Sequence, residues 1–176
     1  MDSMRKLLSP SNAPAACPKR RLLAVVAVLL CGLQTSFGGA SPGDVVIIVN
    51  KANKVDSLSA KELKQIFSGE KGKWPDGGKI QTIAPSQAEA GHKTAIQFLF
   101  GMTEADYQKY TIHATFVGNT QQVPRDSGSS KAVVGLVGLV PGSIAFVRAD
   151  VVNDTVKAIK VDGIAPGADG YPLAAK

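Results

Sequence analysis

Five consecutive β-branched residues, Val45-Val46-Ile47-Ile48-Val49, form the most restrictive stretch of this sequence. Branching at Cβ favours an extended backbone, and a run without polar alternation is typical of a strand whose two faces are both buried. A strand of this kind needs a sheet that is covered on both sides. The stretch therefore predicts an α/β domain with helices packed against the sheet.

Helix and strand patterns alternate along the rest of the chain. Ser59 and Glu62 form a capping box ahead of Leu63, Ile66 and Phe67, which predicts a helix that starts at Ser59. The other predicted elements are a strand over 79–84, a helix over 90–100, a helix that Thr103 and Asp106 cap, a helix that starts within 127–130, and strands over 143–147 and 156–161. In open α/β sheets, ligands bind beyond the carboxyl ends of strands, where helices begin.

The first 40 residues have the pattern of a secretory signal peptide. A positively charged region ends at Arg21, an apolar run extends over 22–33, and small residues precede a predicted cleavage near Ala40/Ser41. The apolar run of about 12 residues is shorter than the roughly 20 that a membrane-spanning helix needs. We expect a signal peptide over 1–40 and a periplasmic or secreted domain over 41–176, with no stable membrane span after cleavage. An uncleaved anchor is the alternative.

Charge and cysteine content change once this segment is set apart. Five of the 20 basic and one of the 14 acidic residues lie before residue 41, so the remainder carries 15 basic against 13 acidic residues, a net charge of +2. This small excess does not favour a nucleic-acid partner. Both cysteines, Cys17 and Cys31, also precede the predicted cleavage, which leaves the domain without a disulfide, a thiolate nucleophile or a cysteine metal ligand.

The sequence contains few residues with catalytic or metal-binding potential. The two histidines, His92 and His113, lie in different predicted helices, and the chain has no HExxH, CxxC or GxSxG motif. The glycines of Gly135-Leu136-Val137-Gly138 belong to an apolar helical pattern and not to a phosphate-binding loop. We therefore expect no enzyme activity, metal site or cofactor.

Hydroxyl groups occur at three predicted helix starts. These are Ser57/Ser59, the segment from Ser86 to Thr94, and the segment from Ser127 to Ser130. A helix N-terminus presents free N–H groups and about half a positive charge, which favours an anion. Each segment also has a simple capping interpretation, so together they favour an oxyanion pocket only slightly.

Two stretches resemble a known family. Residues 58–80, LSAKELKQIFSGEKGKWPDGGKI, closely resemble a segment of the phosphate-type periplasmic solute-binding proteins, the substrate-binding components of ABC transporters. Residues 140–147, VPGSIAFV, are similar to that family's Pro-Gly-Ala-Ile-Gly-Tyr-Val strand. The resemblance extends over nearly all of residues 45–173. It implies a single-lobe type II periplasmic binding protein-like domain, with an open mixed sheet flanked by helices.

The resemblance also implies a function and a place for the ligand. Full-length members have two lobes and roughly twice this length, and they hold phosphate with an arginine followed by a Ser-Gly-Thr helix start. Here the corresponding stretch is APSQAEAGHKTAIQFLF, which contains neither feature, and His92 falls where short members often carry the arginine. Lys93 and Arg125 are candidates for the missing positive charge.

We therefore expect an exported protein that binds a small oxyanion such as phosphate without covalent chemistry, with an ABC permease or another periplasmic protein as partner. The candidate ligand-binding residues are Asn50, Lys51, Ser86, Gln87, His92, Lys93, Thr94, Ser127, Gly128 and Ser129. The alternative is a periplasmic protein–protein interaction module that has kept the fold and lost the anion pocket.

Overall fold

The computed structural model of the protein describes residues 40–175. The predicted signal peptide lies outside the described residues except for Ala40, and it stays a prediction. None of the helices within residues 40–175 combines the length and the apolar character that a membrane crossing requires.

Strands and helices alternate as the sequence predicts. The strands of the described part are β1 (Val45–Asn50), β2 (Ser57–Leu58), β3 (Gln81–Ala84), β4 (Arg125–Asp126), β5 (Ser143–Arg148), β6 (Val156–Ala158) and β7 (Lys160–Val161). The α-helices are α1 (Ala60–Phe67), α2 (His92–Phe100), α3 (Glu104–Phe116) and α4 (Ser130–Leu139).

The main sheet has five strands in the order β4-β3-β5-β1-β6. Strands β4, β3 and β5 run parallel to one another, whereas β1 is antiparallel to both of its neighbours, β5 and β6. Strands β2 and β7 form a separate parallel pair. The predicted fold class, an open mixed sheet flanked by helices, is confirmed.

Strand β1 is buried along its whole length, as the β-branched run predicts. Its side chains alternate between two apolar clusters, because successive residues of a strand point to opposite faces. Val45, Ile47 and Val49 pack with residues of α1, α2 and α3, while Val46 and Ile48 pack with α4. The helices on the two faces together exclude water from the strand.

Helix α1 begins with the predicted capping box. The Ser59 hydroxyl accepts a hydrogen bond from the Glu62 amide at 3.2 Å, and the Glu62 carboxylate accepts one from the Ser59 amide at 3.1 Å. Lys71 donates to the same carboxylate at 2.8 Å. These donors, Lys71 first, lower the pKa of Glu62 to about 2, so the cap is ionised at neutral pH.

The turn after α1 fixes the start of the next strand. The Trp74 amide donates to the Gly78 carbonyl at 2.8 Å, which closes the turn that contains Asp76 and Gly77. The Trp74 indole N–H donates to the Gly142 carbonyl at 2.8 Å, so the turn is attached to the residue just before β5. The turn is therefore fixed to the sheet at the point where β5 begins.

Several predicted boundaries differ from the structure, among them that of β3, which begins at Gln81, two residues later than predicted. Residues 156–161 do not form one strand: the Lys160 amide bonds to the Asp56 carbonyl at 3.0 Å, so the chain changes partners after β6. Ser57 lies in β2 and not at a helix start. Helix α2 begins at His92, two residues later than predicted, because Gly91 adopts a left-handed φ of 90°.

Gly142 and Gly163 allow a matched test of the packing at the β5 turn. Both have a positive φ, but a Cβ at Gly142 would lie 2.5 Å from the Lys79 carbonyl oxygen, whereas a Cβ at Gly163 would meet nothing within 4 Å. We expect Gly163→Ala to lower the free energy of unfolding by about 1–2 kcal/mol through backbone strain alone. Gly142→Ala should lower it by a further ~1–3 kcal/mol because of the clash. Urea unfolding followed by circular dichroism measures both, and equal losses would contradict the packing argument.

Candidate functional site

The carboxyl ends of β3, β4 and β5 meet at one edge of the sheet, because these three strands are parallel. Ser86 follows β3, and Ser127, Gly128 and Ser129 follow β4. The Ser86 amide donates to the Gly128 carbonyl at 2.7 Å, and the Ser127 amide donates to the Ala84 carbonyl at 3.1 Å. The structure thus brings together the two serine-containing segments that the sequence places opposite each other. We call Ser86 with residues 127–129 the serine edge.

Helix α4 starts from the serine edge. The Ser129 hydroxyl caps it by accepting from the Ala132 amide at 3.3 Å, and the Gly128 amide donates to the Asp126 carboxylate at 2.9 Å. The hydroxyl oxygen of Ser127 is buried and has no hydrogen-bond partner among the described residues. A buried hydroxyl without a partner is costly, so Ser127 is a donor available to a ligand.

A carboxylate lies against the first turn of α4. The Ser130 hydroxyl, in a residue only 3% exposed, donates to the Glu89 carboxylate at 2.6 Å. Glu89 is held nearby because its amide donates to the Ser86 carbonyl at 2.9 Å. Sequence reasoning missed Glu89, because Ser130 lies 41 residues further along the chain and no local pattern links the two.

His92 is buried and pairs with a carboxylate. Its Nδ1 lies 2.5 Å from the Glu104 carboxylate, and its ring packs against Tyr107 and Phe146. Burial raises the pKa of the Tyr107 hydroxyl above its ordinary value. The contact that the structure assigns to His92 is therefore Glu104, and its predicted contact with an anion stays a prediction. The only sequence signal for Glu104 is its position in the first turn of α3.

Gln87, Lys93 and Thr94 are exposed, and Gln87 directly follows Ser86 of the serine edge. The Gln87 side-chain carbonyl accepts from the Gln108 amide group at 2.8 Å. Lys93 and Thr94, on the first turn of α2, line a surface depression together with Gln97, Phe98, Pro172 and Ala174. Lys93 and Arg125, the two candidates for the positive charge, form no ion pair among the described residues. Arg125 lies in β4, two residues before Ser127, whereas the depression at Lys93 contains no residue of the serine edge.

Asn50 and Lys51 lie at the other end of the sheet. Strand β1 is antiparallel to β5, so its carboxyl end is level with Ser143 and with the start of β3. The serine edge is at least about 10 Å away, given the rise of about 3.3 Å per residue along β3. Asn50 and Lys51 therefore do not lie beside the other candidates, because β1 is antiparallel to β5. Their predicted contact with a ligand stays a prediction.

The Asn50 side chain has a structural role at this end. Its amide group donates to the carbonyls of Val137 and Gly138 at 2.8 and 2.9 Å, which satisfies the last turn of α4. Its side-chain oxygen accepts from the Ala52 amide at 2.9 Å. Lys51 is exposed and donates to the Asp154 carbonyl at 3.1 Å.

Residues 40–175 contain no group of three or more His, Cys, Asp or Glu side chains that could hold a metal ion. The serine edge combines one buried free hydroxyl, the start of a ten-residue helix, and the carboxylates of Glu89 and Asp126. This arrangement can bind a small polar group without covalent chemistry. The nearby carboxylates disfavour the binding of an anion by charge repulsion, whereas the helix start and the Ser127 hydroxyl favour it.

Comparison with known proteins identifies a family and several solved structures. A family model described as a PBP superfamily domain matches residues 42–169. The chain is similar in structure to an ABC-type phosphate transport receptor from Vibrio cholerae, with 20% identity and a TM-score of 0.59 over 74% of this chain and 52% of that one. It is similar to PstS from Borrelia burgdorferi, with 15% identity and a TM-score of 0.57 over 74% and 53% of the two chains.

A third solved structure is a putative phosphate ABC transporter substrate-binding protein with bound phosphate from Clostridium perfringens. It shares 19% identity and a TM-score of 0.55 over 70% of this chain and 46% of its own. The chain thus spans about half the length of these structures. At such identities the likeness concerns the fold.

Asn50→Ala tests the structural role of this residue. We expect it to lower the free energy of unfolding by about 1–3 kcal/mol, because the α4 carbonyls lose their donor while they remain buried. Lys51→Ala is the matched control, and it should change the free energy by less than about 0.5 kcal/mol because it is exposed. Chemical denaturation measures both. A loss of anion affinity in Asn50→Ala at unchanged stability would contradict this interpretation.

Proposed function

We propose that this chain, which belongs to the PBP superfamily, is an exported solute-binding protein that recognises a small oxyanion such as phosphate at the serine edge. Binding is non-covalent, and the protein is not an enzyme. An ABC permease is the proposed partner, by analogy with the transport receptors that share the fold. Export rests on the signal-peptide pattern of residues 1–40.

The buried hydroxyl of Ser127 is the observation that carries the proposal. It has no hydrogen-bond partner among the described residues, and it lies three residues before the start of α4. An oxyanion there would accept from this hydroxyl and gain from the partial positive charge of the helix start. Ser86 and Gly128 hold the two segments in place through their backbone hydrogen bond.

Two internal carboxylates already engage polar side chains on the side of the sheet where the serine edge lies. The Glu89 carboxylate accepts a hydrogen bond from the Ser130 hydroxyl, and the Glu104 carboxylate pairs with His92. These internal carboxylates take up donors that would otherwise be free for a ligand. Lys93, exposed on the first turn of α2, and Arg125 of β4 are the candidates for the positive charge in the proposed complex.

Ser127→Ala tests the proposed donor. Calorimetric titration of the purified protein with phosphate and with sulfate should give one anion per chain, and the variant should bind about tenfold more weakly, since it loses one hydrogen bond to a charged ligand. Ser57→Ala, an exposed serine in β2, should bind as the unchanged protein does. Equal affinity of Ser127→Ala and Ser57→Ala would remove Ser127 from the site.

Glu89→Gln tests the electrostatic opposition to an anion. The amide keeps an oxygen that can accept from Ser130 but removes the negative charge, so anion affinity should rise roughly three- to tenfold. Glu70→Gln, on an exposed residue after α1, is the control and should leave affinity unchanged. A lower affinity in Glu89→Gln would mean that the carboxylate helps to build the site.

A second candidate function is a protein–protein interaction module. The carboxyl-terminal part of α3 and the residue after it expose large apolar side chains: Ile112 is 69%, Phe116 90% and Val117 50% exposed. Exposed apolar groups in one place are typical of contact surfaces. Absence of heat with millimolar phosphate and sulfate, in both the unchanged protein and Glu89→Gln, would contradict oxyanion binding and favour this second function.

A further inference from the structure

A cavity of about 230 Å³ lies beside β3, on the side where β4 pairs with only part of that strand. Strand β4 pairs only with Ile83 and Ala84, so the first two residues of β3, Gln81 and Thr82, have no strand beside them on that side. The end of α1, the segment of Gln121 and Val123, and the end of α4 close the cavity around this gap. It is separate from the serine edge, which lies beyond the other end of β3.

The wall of this cavity is largely apolar. Ile66, Ile80 and Ile83 line it but are at least 92% buried, so its accessible apolar surface comes mainly from the half-buried Val123, Leu136 and Val140. When a ligand displaces water from apolar surface of this kind, binding becomes more favourable by about 25 cal/mol for each Å² that is covered. The wall therefore suits a ligand with a short hydrocarbon body.

The rim of the cavity carries positive charge only. Lys71, Lys79 and Arg125 line it, and no Asp or Glu is among the lining residues. Lys71 is engaged by Glu62 at 2.8 Å. Lys79 and Arg125 form no ion pair within residues 40–175, so both are free to face a ligand anion.

We propose that this cavity binds a small organic carboxylate with an apolar body, the carboxylate facing Arg125 and Lys79 and the hydrocarbon against Val123, Leu136 and Val140. A guanidinium matches a carboxylate with two parallel hydrogen bonds, which selects for this group over a neutral one. The volume is below the roughly 300–1,000 Å³ of ordinary ligand pockets, so the ligand is limited to a few carbon atoms. This site differs from the proposed oxyanion site in place and in chemistry.

Four probes of graded chemistry test the site. Hexanoate carries both features, acetate lacks the apolar body, 1-hexanol lacks the charge, and hexylammonium reverses it. In a titration of the purified protein followed by ¹⁵N–¹H NMR, hexanoate should produce saturable shifts at the amides of Ile80, Thr82 and Val123. Acetate and 1-hexanol should bind at least about tenfold more weakly, because each loses one of the two contributions.

Charge-removing variants complete the test. Arg125→Gln and Lys79→Gln should each weaken hexanoate binding by about tenfold, while Lys109→Gln, on an exposed residue of α3, should leave it unchanged. Ser127→Ala should also leave it unchanged, which separates this site from the serine edge. The proposal is overturned if 1-hexanol binds as tightly as hexanoate, if neither Arg125→Gln nor Lys79→Gln has an effect, or if no saturable shifts occur at the cavity.

Discussion

The burial of β1 on both faces is the constraint on which the rest of the structure depends. Its five β-branched side chains are at most 2% exposed and alternate between a cluster with α1, α2 and α3 and a cluster with α4. Full burial of such side chains contributes about 1.5–3 kcal/mol each. No shorter strand of the main sheet contributes to both clusters to this extent. Its neighbour β5 adds Ile144 and Phe146 to the first cluster and Ala145 and Val147 to the second, so these two central strands join the helices of the two faces.

The direction of β1 then sorts the polar groups between the two ends of the sheet. Because β1 is antiparallel to β5, its last residue, Asn50, lies beside the end of α4 and satisfies two carbonyls there. The opposite end collects the residues after β3 and β4 around the start of α4. Glu89 and Glu104 lie on that side and engage Ser130 and His92. Internal carboxylates thus satisfy donors at the end of the sheet where an anion would bind.

Much of the fold followed from local patterns in the sequence. The capping box of Ser59 and Glu62 and the cap at Thr103 were both predicted where they occur, because each depends on residues close in the chain. The prediction of one last strand over 156–161 was wrong. Residue 160 leaves the main sheet because its amide bonds to the Asp56 carbonyl, about a hundred residues earlier in the chain. The proximity of Ser86 and residues 127–129 was expected from the rule for parallel strands, and it is found.

The sequence by itself determined that this chain forms an α/β domain of the periplasmic binding protein type, because the β-branched run, the caps and the family-like stretches act through short-range propensity and burial. Only the tertiary structure decided which polar residues meet. The pairing of His92 with Glu104 and of Ser130 with Glu89 depends on strand direction and helix packing. The same holds for the cationic cavity beside β3, which joins segments up to about 70 residues apart. Strand direction depends on which pairing of strands buries the most apolar surface, and that buried surface comes from residues throughout the domain.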